Sequence, residues 1–268
     1  MSDQSDSFYD SILVTGASGG LGEEFARQLV FSCNQIILVA RREDRLVNLT
    51  ADLKKLNPDL DVLYFVVDLT SSSERQKFIS MLIENGASVD LLINNAGLGD
   101  YRMFTDSEWE KVNQMIQLNM TALTHLTHSL LPQMRERGCG AIINVSSLAS
   151  IIPMPEFAVY AATKAYVTSF SEALRLELKG EGIPVMALCP GPVHTEFGSV
   201  AMPADADALP GRDIFYVDKS VVVSKALLGL SRFKARVYPG WQVALVAAGI
   251  SLLPLAAIRF VMSKRISK

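Results

Sequence analysis

Ser11-Ile12-Leu13-Val14-Thr15-Gly16-Ala17-Ser18-Gly19-Gly20-Leu21-Gly22 decides how the rest of the chain is read. An unbroken apolar run that stops at a glycine predicts a strand buried on both faces, as in a parallel sheet. A helical pattern from Glu23 to Phe31 follows. Strand, glycine turn and helix in that order form a phosphate cradle. The glycines allow a sharp turn and let an anion approach the helix N-terminus, where free N–H groups and the dipole favour negative charge. The spacing is Gly16, Gly20, Gly22 rather than the common G-x-G-x-x-G. A plain tight turn has the same composition; the strand downstream favours the phosphate reading.

That strand is Gln35 to Ala40, and it ends at Arg41-Arg42. An acidic residue at this place binds a ribose 2′-hydroxyl, whereas an arginine accommodates a 2′-phosphate. Glu43 and Asp44 come later and suit the first turn of a helix. The expectation is NADP(H) in preference to NAD(H), with Arg41 and also Arg42 on the phosphate. Two solvated arginines ahead of a helix are the alternative.

The rest of the chain repeats the alternation. A helical pattern runs from Glu43 to Leu56 and stops at Asn57-Pro58. Val62 to Val67 is a third strand ending at Asp68, and Ser71 with Glu74 has capping-box spacing for the next helix. Val89 to Ile93 runs into Asn94-Asn95-Ala96-Gly97. Thr105 and Glu108 repeat the capping-box spacing ahead of a helix expected from Ser107 to Arg137. Ala141 to Val145 ends in Ser146-Ser147, and Pro184 to Leu188 ends in Cys189-Pro190-Gly191. This pattern predicts an α/β fold: a single Rossmann-like, doubly wound parallel sheet with helices on both faces. Ligands bind such sheets at the carboxyl ends of the strands. Gly16, Arg41, Asp68, Asn94, Ser147 and Pro190 all fall at or just beyond such ends.

Tyr160-Ala161-Ala162-Thr163-Lys164 carries the chemistry. Residues four apart share a helix face, so phenol and ammonium point toward one place. A nearby cation favours the ionised phenol, whose ordinary pKa of about 10 is otherwise too high for proton transfer at neutral pH. Composition narrows the alternatives. The 268 residues are 49% hydrophobic and 20% charged, with a net charge of −3, so a large core is possible and no basic field exists for nucleic acid. Cys33, Cys139 and Cys189 have no metal-like spacing, and their odd number argues against a disulfide framework. His125 and His128 share a helix face without a third ligand nearby, so no metal is expected. Met1 to Ser7 is polar and acidic, unlike a signal peptide. The expected location is cytoplasmic, with membrane association left open by the tail.

From about Ile12 to Tyr238 the chain resembles the short-chain dehydrogenase/reductase family, and specifically its broad bacterial-type NADP-dependent reductases. The residues that carry the resemblance are Thr15 to Gly22, Asn94-Asn95-Ala96-Gly97, Asn119, Ser147, Tyr160 with Lys164, and Pro190-Gly191, in that order. The resemblance implies hydride transfer between a nicotinamide and a carbonyl or alcohol. In it Tyr160 is general acid/base, Lys164 lowers the Tyr160 pKa and holds a ribose, and Ser147 bonds the substrate oxygen. Asn119 positions a water linking Lys164 to solvent; a polar residue on the helix surface is its bland alternative. Ser146 is the alternative to Ser147. The resemblance also implies cofactor contacts along Gly16, Ser18, Gly20, Leu21, Gly22, Leu69, Ala96, Gly97, Pro190, Gly191 and Val193. Asp68 would touch adenine or cap a helix, Asn94 would lie by the adenosine ribose, and Thr195 would bind the carboxamide. Ala17 and Ser18 depart from relatives with a basic residue in the glycine turn. The family usually forms dimers or tetramers, so a homo-oligomer is expected. A scaffold or sensor that has kept the cofactor, and a membrane-associated reductase of lipid or sterol-type carbonyls, are the alternative functions.

Two segments lie beyond the shared pattern. Gly198 to Lys219 is rich in Ala, Asp, Pro and Gly and reads as a loop over the substrate; Phe197, Phe215 and Tyr216 hint at an apolar pocket. The expected division is a cofactor-binding and catalytic domain over 1–240 and an apolar C-terminal extension over 241–268. Trp241 to Ile258 has no charge, and its polar Gln242 and Ser251 fall on opposite sides of a helix at ~100° per residue. The run is at the short limit for a membrane span, Pro254 interrupts it, and Arg259, Lys264, Arg265 and Lys268 follow. A membrane contact, a cover for the substrate pocket and a subunit contact are all open.

Overall fold

The computed structural model describes residues 9–202 and 215–266, with side chains as far as Ser263. Met1 to Ser7 and the middle of the expected substrate loop lie outside the described residues. Seven strands form one sheet: β1 Tyr9–Thr15, β2 Cys33–Ala40, β3 Asp61–Val66, β4 Leu91–Asn94, β5 Ala141–Val145, β6 Val185–Leu188 and β7 Arg236–Val237. Their order is β3-β2-β1-β4-β5-β6-β7, and every pairing is parallel. The order reverses between β1 and β4, which opens a crevice at their carboxyl ends.

The helices are α1 Gly20–Gln28, α2 Glu43–Leu56, α3 Ser72–Glu84, α4 Trp109–Ile116, α5 Leu123–Arg137, α6 Ala158–Glu177, α7 Glu196–Ala201, α8 Lys219–Ser231, α9 Trp241–Leu252 and α10 Leu255–Ile266. Strand alternation divides the core in two. Ile12, Val14, Ile36 and Leu38 face α1, α2 and α8 through Phe25, Leu46, Leu53 and Val222. Leu13, Ile37, Val39 and Leu92 face α3 and α5 through Phe78, Leu82, Leu126 and Met134. A third cluster, with Met115, Phe157, Tyr160 and Ala201, sits apart at the carboxyl end.

Four local readings are corrected. The Thr105–Glu108 spacing is not a capping box: Thr105 lies in a short 3-10 turn over Phe104–Asp106, and Glu108 itself caps α4 without a side-chain bond. The long helix is interrupted by a π-helical stretch at Gln117–Ala122, so α4 and α5 differ in register around Asn119. The Ser71–Glu74 box is half made. Ser71 accepts from the Glu74 N–H at 3.3 Å, but the Glu74 carboxylate turns to the Asp68 N–H at 2.9 Å. Finally, the two-residue β7, too short to show alternation, is a seventh strand beyond the six read from the sequence.

The apolar tail is not one helix. Pro254 has no N–H for the α9 ladder, and its carbonyl instead accepts from Ala257 and Ile258 at the start of α10. The chain bends by 117° between the two helices. No single helix among the described residues is long and apolar enough to cross a membrane. α9 packs on the 3-10 turn Leu148–Ile151 that follows β5, burying Val243 and Ala247.

Candidate active site

The glycine turn is built for close approach. Gly16 has φ +67°, and a Cβ there would stand 2.9 Å from Ala96 Cα. A Cβ on Gly22 would stand 2.3 Å from the Gly16 carbonyl oxygen. The turn is tied to β4 by two residues that sequence reasoning did not single out. Thr15 Oγ1 accepts from the N–H groups of Asn95 and Ala96, both at 3.0 Å. Asn95 Nδ2 donates back to the carbonyls of Thr15 and Gly16 at 3.0 and 3.3 Å. Asn94 is the correction. Strand alternation sends its side chain away from the cleft, into a buried network where Nδ2 donates to Thr127 Oγ1 at 3.0 Å and Asn144 Oδ1 at 2.9 Å. Asn94 does not line the cleft; Asn95, Ala96 and Gly97 do. Neighbouring asparagines in the sequence offered no signal to separate them.

Both arginines after β2 line the rim, and Arg42 is the better anchored. Its Nε donates to Ser18 Oγ at 3.2 Å, Nη2 to the Ser18 carbonyl at 2.9 Å, and Nη1 to Glu196 at 2.7 Å. Glu196, at the start of α7, also reaches Arg45 at 3.4 Å. Across the rim, Asp68 and Leu69 line the cleft. Asp68 is not a helix cap: its carboxylate accepts from the Thr70 N–H and hydroxyl at 2.9 and 2.7 Å, closing a turn. Arg75, buried on α3, supports that turn by donating to the Leu69 carbonyl at 2.7 Å and to His125 Nδ1 at 3.0 Å. Burial lowers the pKa of His125, with the Arg75 charge adding to it.

At the other end stand Tyr160 and Lys164, one turn apart near the N-terminus of α6. The Tyr160 ring stacks on Phe157 at 4.2 Å and faces Phe197 at 5.5 Å. Ser147 ends the β5 turn; its oxygen accepts from the Ala149 N–H at 3.1 Å, and with Tyr160 it lines the cleft. The Ser146 hydroxyl is engaged elsewhere, with the Lys164 carbonyl at 2.8 Å and Thr168 at 2.6 Å. Asn119 is buried rather than on the helix surface. Its amide pairs with Leu98 through both N–H and carbonyl and donates to Thr163 at 3.0 Å. The π-helical turn delivers it to this position. Asn119 and Lys164 converge on Gly97, where a Cβ would lie 3.3 Å from Asn119 Oδ1 and 3.4 Å from Lys164 Nζ.

Protonation corrects one expectation. Lys164 Nζ donates to the Val145 carbonyl at 2.8 Å and lies 5.7 Å from the Tyr160 ring centroid. Its charge does not dominate the phenol. Burial pushes Tyr160 up to about 12, while the Ser147 side chain pulls the other way. Burial brings Lys164 down to about 8. Desolvation disfavours both charged forms and is the first cause of each shift.

One cavity of about 660 Å³ joins these features. That volume is within the ~300–1,000 Å³ range of ligand and cofactor sites. One end holds Gly16, Ser18, Gly20, Leu21, Arg41 and Arg42; the side toward β6 holds Pro190, Gly191, Val193 and Thr195. Gly22 supports the turn from behind the wall. The other end is an apolar chamber with Tyr101, Ile152, Met154, Phe157, Phe197, Val200, Phe215 and Val246. Val246 comes from the tail, which had no motif to mark it. Glycines that admit no side chain, at a helix start beside two arginines, fit an extended dinucleotide with its pyrophosphate over α1.

The comparisons agree with this geometry. Residues 10–205 match the model of the short chain dehydrogenase family. A sulfoacetaldehyde reductase of Chromohalobacter salexigens is 36% identical over 201 residues, covering 74% of this chain and 79% of that protein. An NADP-dependent 3-hydroxy acid dehydrogenase of Shigella flexneri is 35% identical over 200 residues, covering 72% and 77%. Among solved structures, a short-chain dehydrogenase of Sphingobium yanoikuyae in complex with NADPH superposes with a TM-score of 0.80 at 31% identity, over 95% of each chain. A bulky-bulky ketone specific alcohol dehydrogenase of Comamonas testosteroni gives 0.76 at 27%, over 95% and 94%. The chain belongs to the short-chain dehydrogenase family. It is a nicotinamide-dependent oxidoreductase that interconverts carbonyl and alcohol groups.

Proposed function

We propose that this enzyme is an NADP(H)-dependent reductase of bulky, apolar carbonyl compounds, or the corresponding alcohol dehydrogenase in reverse. The observation that carries the reading is the placement of Tyr160 and Ser147 together on the cavity wall, where the apolar chamber meets the glycine-lined cleft. A bound nicotinamide supplies or accepts the hydride there. Tyr160 donates a proton to the carbonyl oxygen or takes one from the alcohol. Ser147, whose oxygen accepts from the Ala149 N–H, stands on the cavity wall where its hydroxyl can donate to the substrate oxygen. Lys164, brought down to about 8, exchanges a proton near neutral pH and can resupply Tyr160. Asn119 fixes the Leu98 loop and faces Lys164 across Gly97, the position from which to order a water.

NADP(H) preference rests on Arg42 held by Ser18, with no acid at the end of β2. The NADPH-bound relative supports it. The substrate class rests on the chamber wall. Among the described lining residues, Lys164 is the sole cation besides Arg41 and Arg42 at the far rim, and the described chamber wall is mainly apolar. A bulky ketone fits it better than sulfoacetaldehyde. A homo-oligomer is carried over from the family as part of the proposal.

The test is NADPH oxidation against bulky ketones, aldehydes, 3-oxoacyl compounds and sulfoacetaldehyde, with Tyr160→Phe as the blank. Loss of the general acid is expected to cost about 10²–10⁴-fold in kcat. Faster turnover of sulfoacetaldehyde than of any bulky ketone would refute the substrate class, and NADH binding equal to or tighter than NADPH would refute the cofactor preference.

A further inference from the structure

The last two helices carry apolar surface on both sides. Facing inward, Val243 and Ala247 are buried and Val246 lines the chamber. Facing outward, Trp241, Leu245, Ala248 and Leu252 recur at helical spacing, and all are exposed, Trp241 at 68% and Leu252 at 86%. Leu253 and Leu255 at the bend, and Phe260 and Val261 on α10, are exposed as well. Exposed large apolar residues gathered in one segment mark a contact with something other than water.

Charge indicates which contact. From Trp241 to the C-terminus there is no Asp or Glu, while Arg259, Lys264, Arg265 and Lys268 cluster near the end. The whole chain is net −3, so these cations are segregated rather than average. A two-fold contact between copies through this segment would pair two sequences that carry cations and no acid to answer them. An anionic lipid surface matches both the apolar elbow and the basic end. Length sets the depth. Each helix has 12 residues, about 18 Å at ~1.5 Å per residue, against a hydrocarbon core of about 30 Å. With α9 also packed on the catalytic body and each helix shorter than the hydrocarbon core, the pair fits entry into one leaflet.

We infer that the α9–α10 elbow seats the enzyme on an anionic membrane surface, and that the chamber behind α9 receives carbonyl substrates that partition into lipid. The substrate clause rests on the reductase reading above; the membrane contact does not. α9 is the connection, because one helix supplies both the outer apolar face and, through Val246, the chamber wall.

The test uses the full-length protein in flotation with mixed phosphatidylcholine–phosphatidylglycerol vesicles and with phosphatidylcholine alone. The protein is expected to float with the mixed vesicles, less as salt rises, and little with the neutral ones. Combined Leu252→Ser, Leu253→Ser and Leu255→Ser is expected to cut partitioning by about tenfold or more, with NADPH binding unchanged. Should that variant lose NADPH binding, combined Lys264→Gln and Arg265→Gln is read instead, with a loss of about fivefold per charge. Protein unbound to both vesicles, variants that float as well as the parent, or a dimer turned monomer without change in flotation would overturn the inference. Flotation without NADPH binding in the parent would instead sink the reductase reading and spare the membrane contact.

Discussion

Lys164→Met should make the protein more stable and inactive. Lys164 is 4% exposed, its ammonium donates to one carbonyl, and among the described residues it has no ion-pair partner. Burial takes its pKa from 10.5 to about 8. That depression is a folding cost of roughly 3 kcal/mol at neutral pH, at about 1.4 kcal/mol per unit. Methionine removes the charge and nearly keeps the volume, but forfeits the bond to Val145 at a cost of about 1–2 kcal/mol. The net gain is about 1–2 kcal/mol, or roughly 2–8 °C in Tm for a chain of this size. The gain must depend on pH. Below pH 8 both folded and unfolded lysine are charged, and the folded protein bears the whole cost. Between about 8 and 10.5 the folded lysine loses its proton first, so wild-type stability rises with pH and the variant's advantage disappears. Above pH 10 the order reverses for Tyr160, whose folded pKa of about 12 means stability lost as the unfolded phenol ionises. Urea melts of both proteins without cofactor, at pH 7 and 9.5, would measure this. A variant less stable than wild type by more than about 1 kcal/mol at pH 7, or a difference unchanged between the two pH values, would show that burial does not depress this lysine.

Gly22→Ala should abolish cofactor binding and lower stability by about 2–4 kcal/mol, seen in urea melts and NADPH fluorescence, because the new methyl meets the Gly16 carbonyl at 2.3 Å. Arg42→Ala should weaken NADPH by about 10–100-fold and leave NADH unchanged, since charge-assisted bonds to a 2′-phosphate are at stake. Glu196→Gln should do the opposite and tighten NADPH up to about fivefold, because its half-exposed carboxylate competes for Arg42 at 2.7 Å. Ser147→Ala should lower kcat with little change in melting, whereas Ser146→Ala should lower stability by about 1–3 kcal/mol, since it removes a bonded hydroxyl from the buried contact between β5 and α6.

The alternation of apolar runs, glycine turns and helical patterns was enough to determine a doubly wound sheet, because buried parallel strands and amphipathic helices leave separate periodicities in a sequence. The glycine turn, Arg41-Arg42, Ser147 and the Tyr160–Lys164 pair were legible for the same local reason: each acts through a short spacing on one element. What sequence could not decide depended on contacts between distant segments. Asn94 and Asn95 are adjacent in the chain, and only the strand pleat sends one to the core and the other to the cleft. The family resemblance gives Asn119 a water-positioning role with a surface position as the alternative, and only the structure buries it, on a π-helical turn against Leu98 and Thr163. Glu196 meets Arg42 across 154 positions, and Val246 reaches the chamber from beyond the last strand of the sheet. The Tyr160–Lys164 spacing correctly placed the two groups together, but their protonation is set by how completely the fold removes them from water, and burial of that kind is a property of the tertiary structure alone.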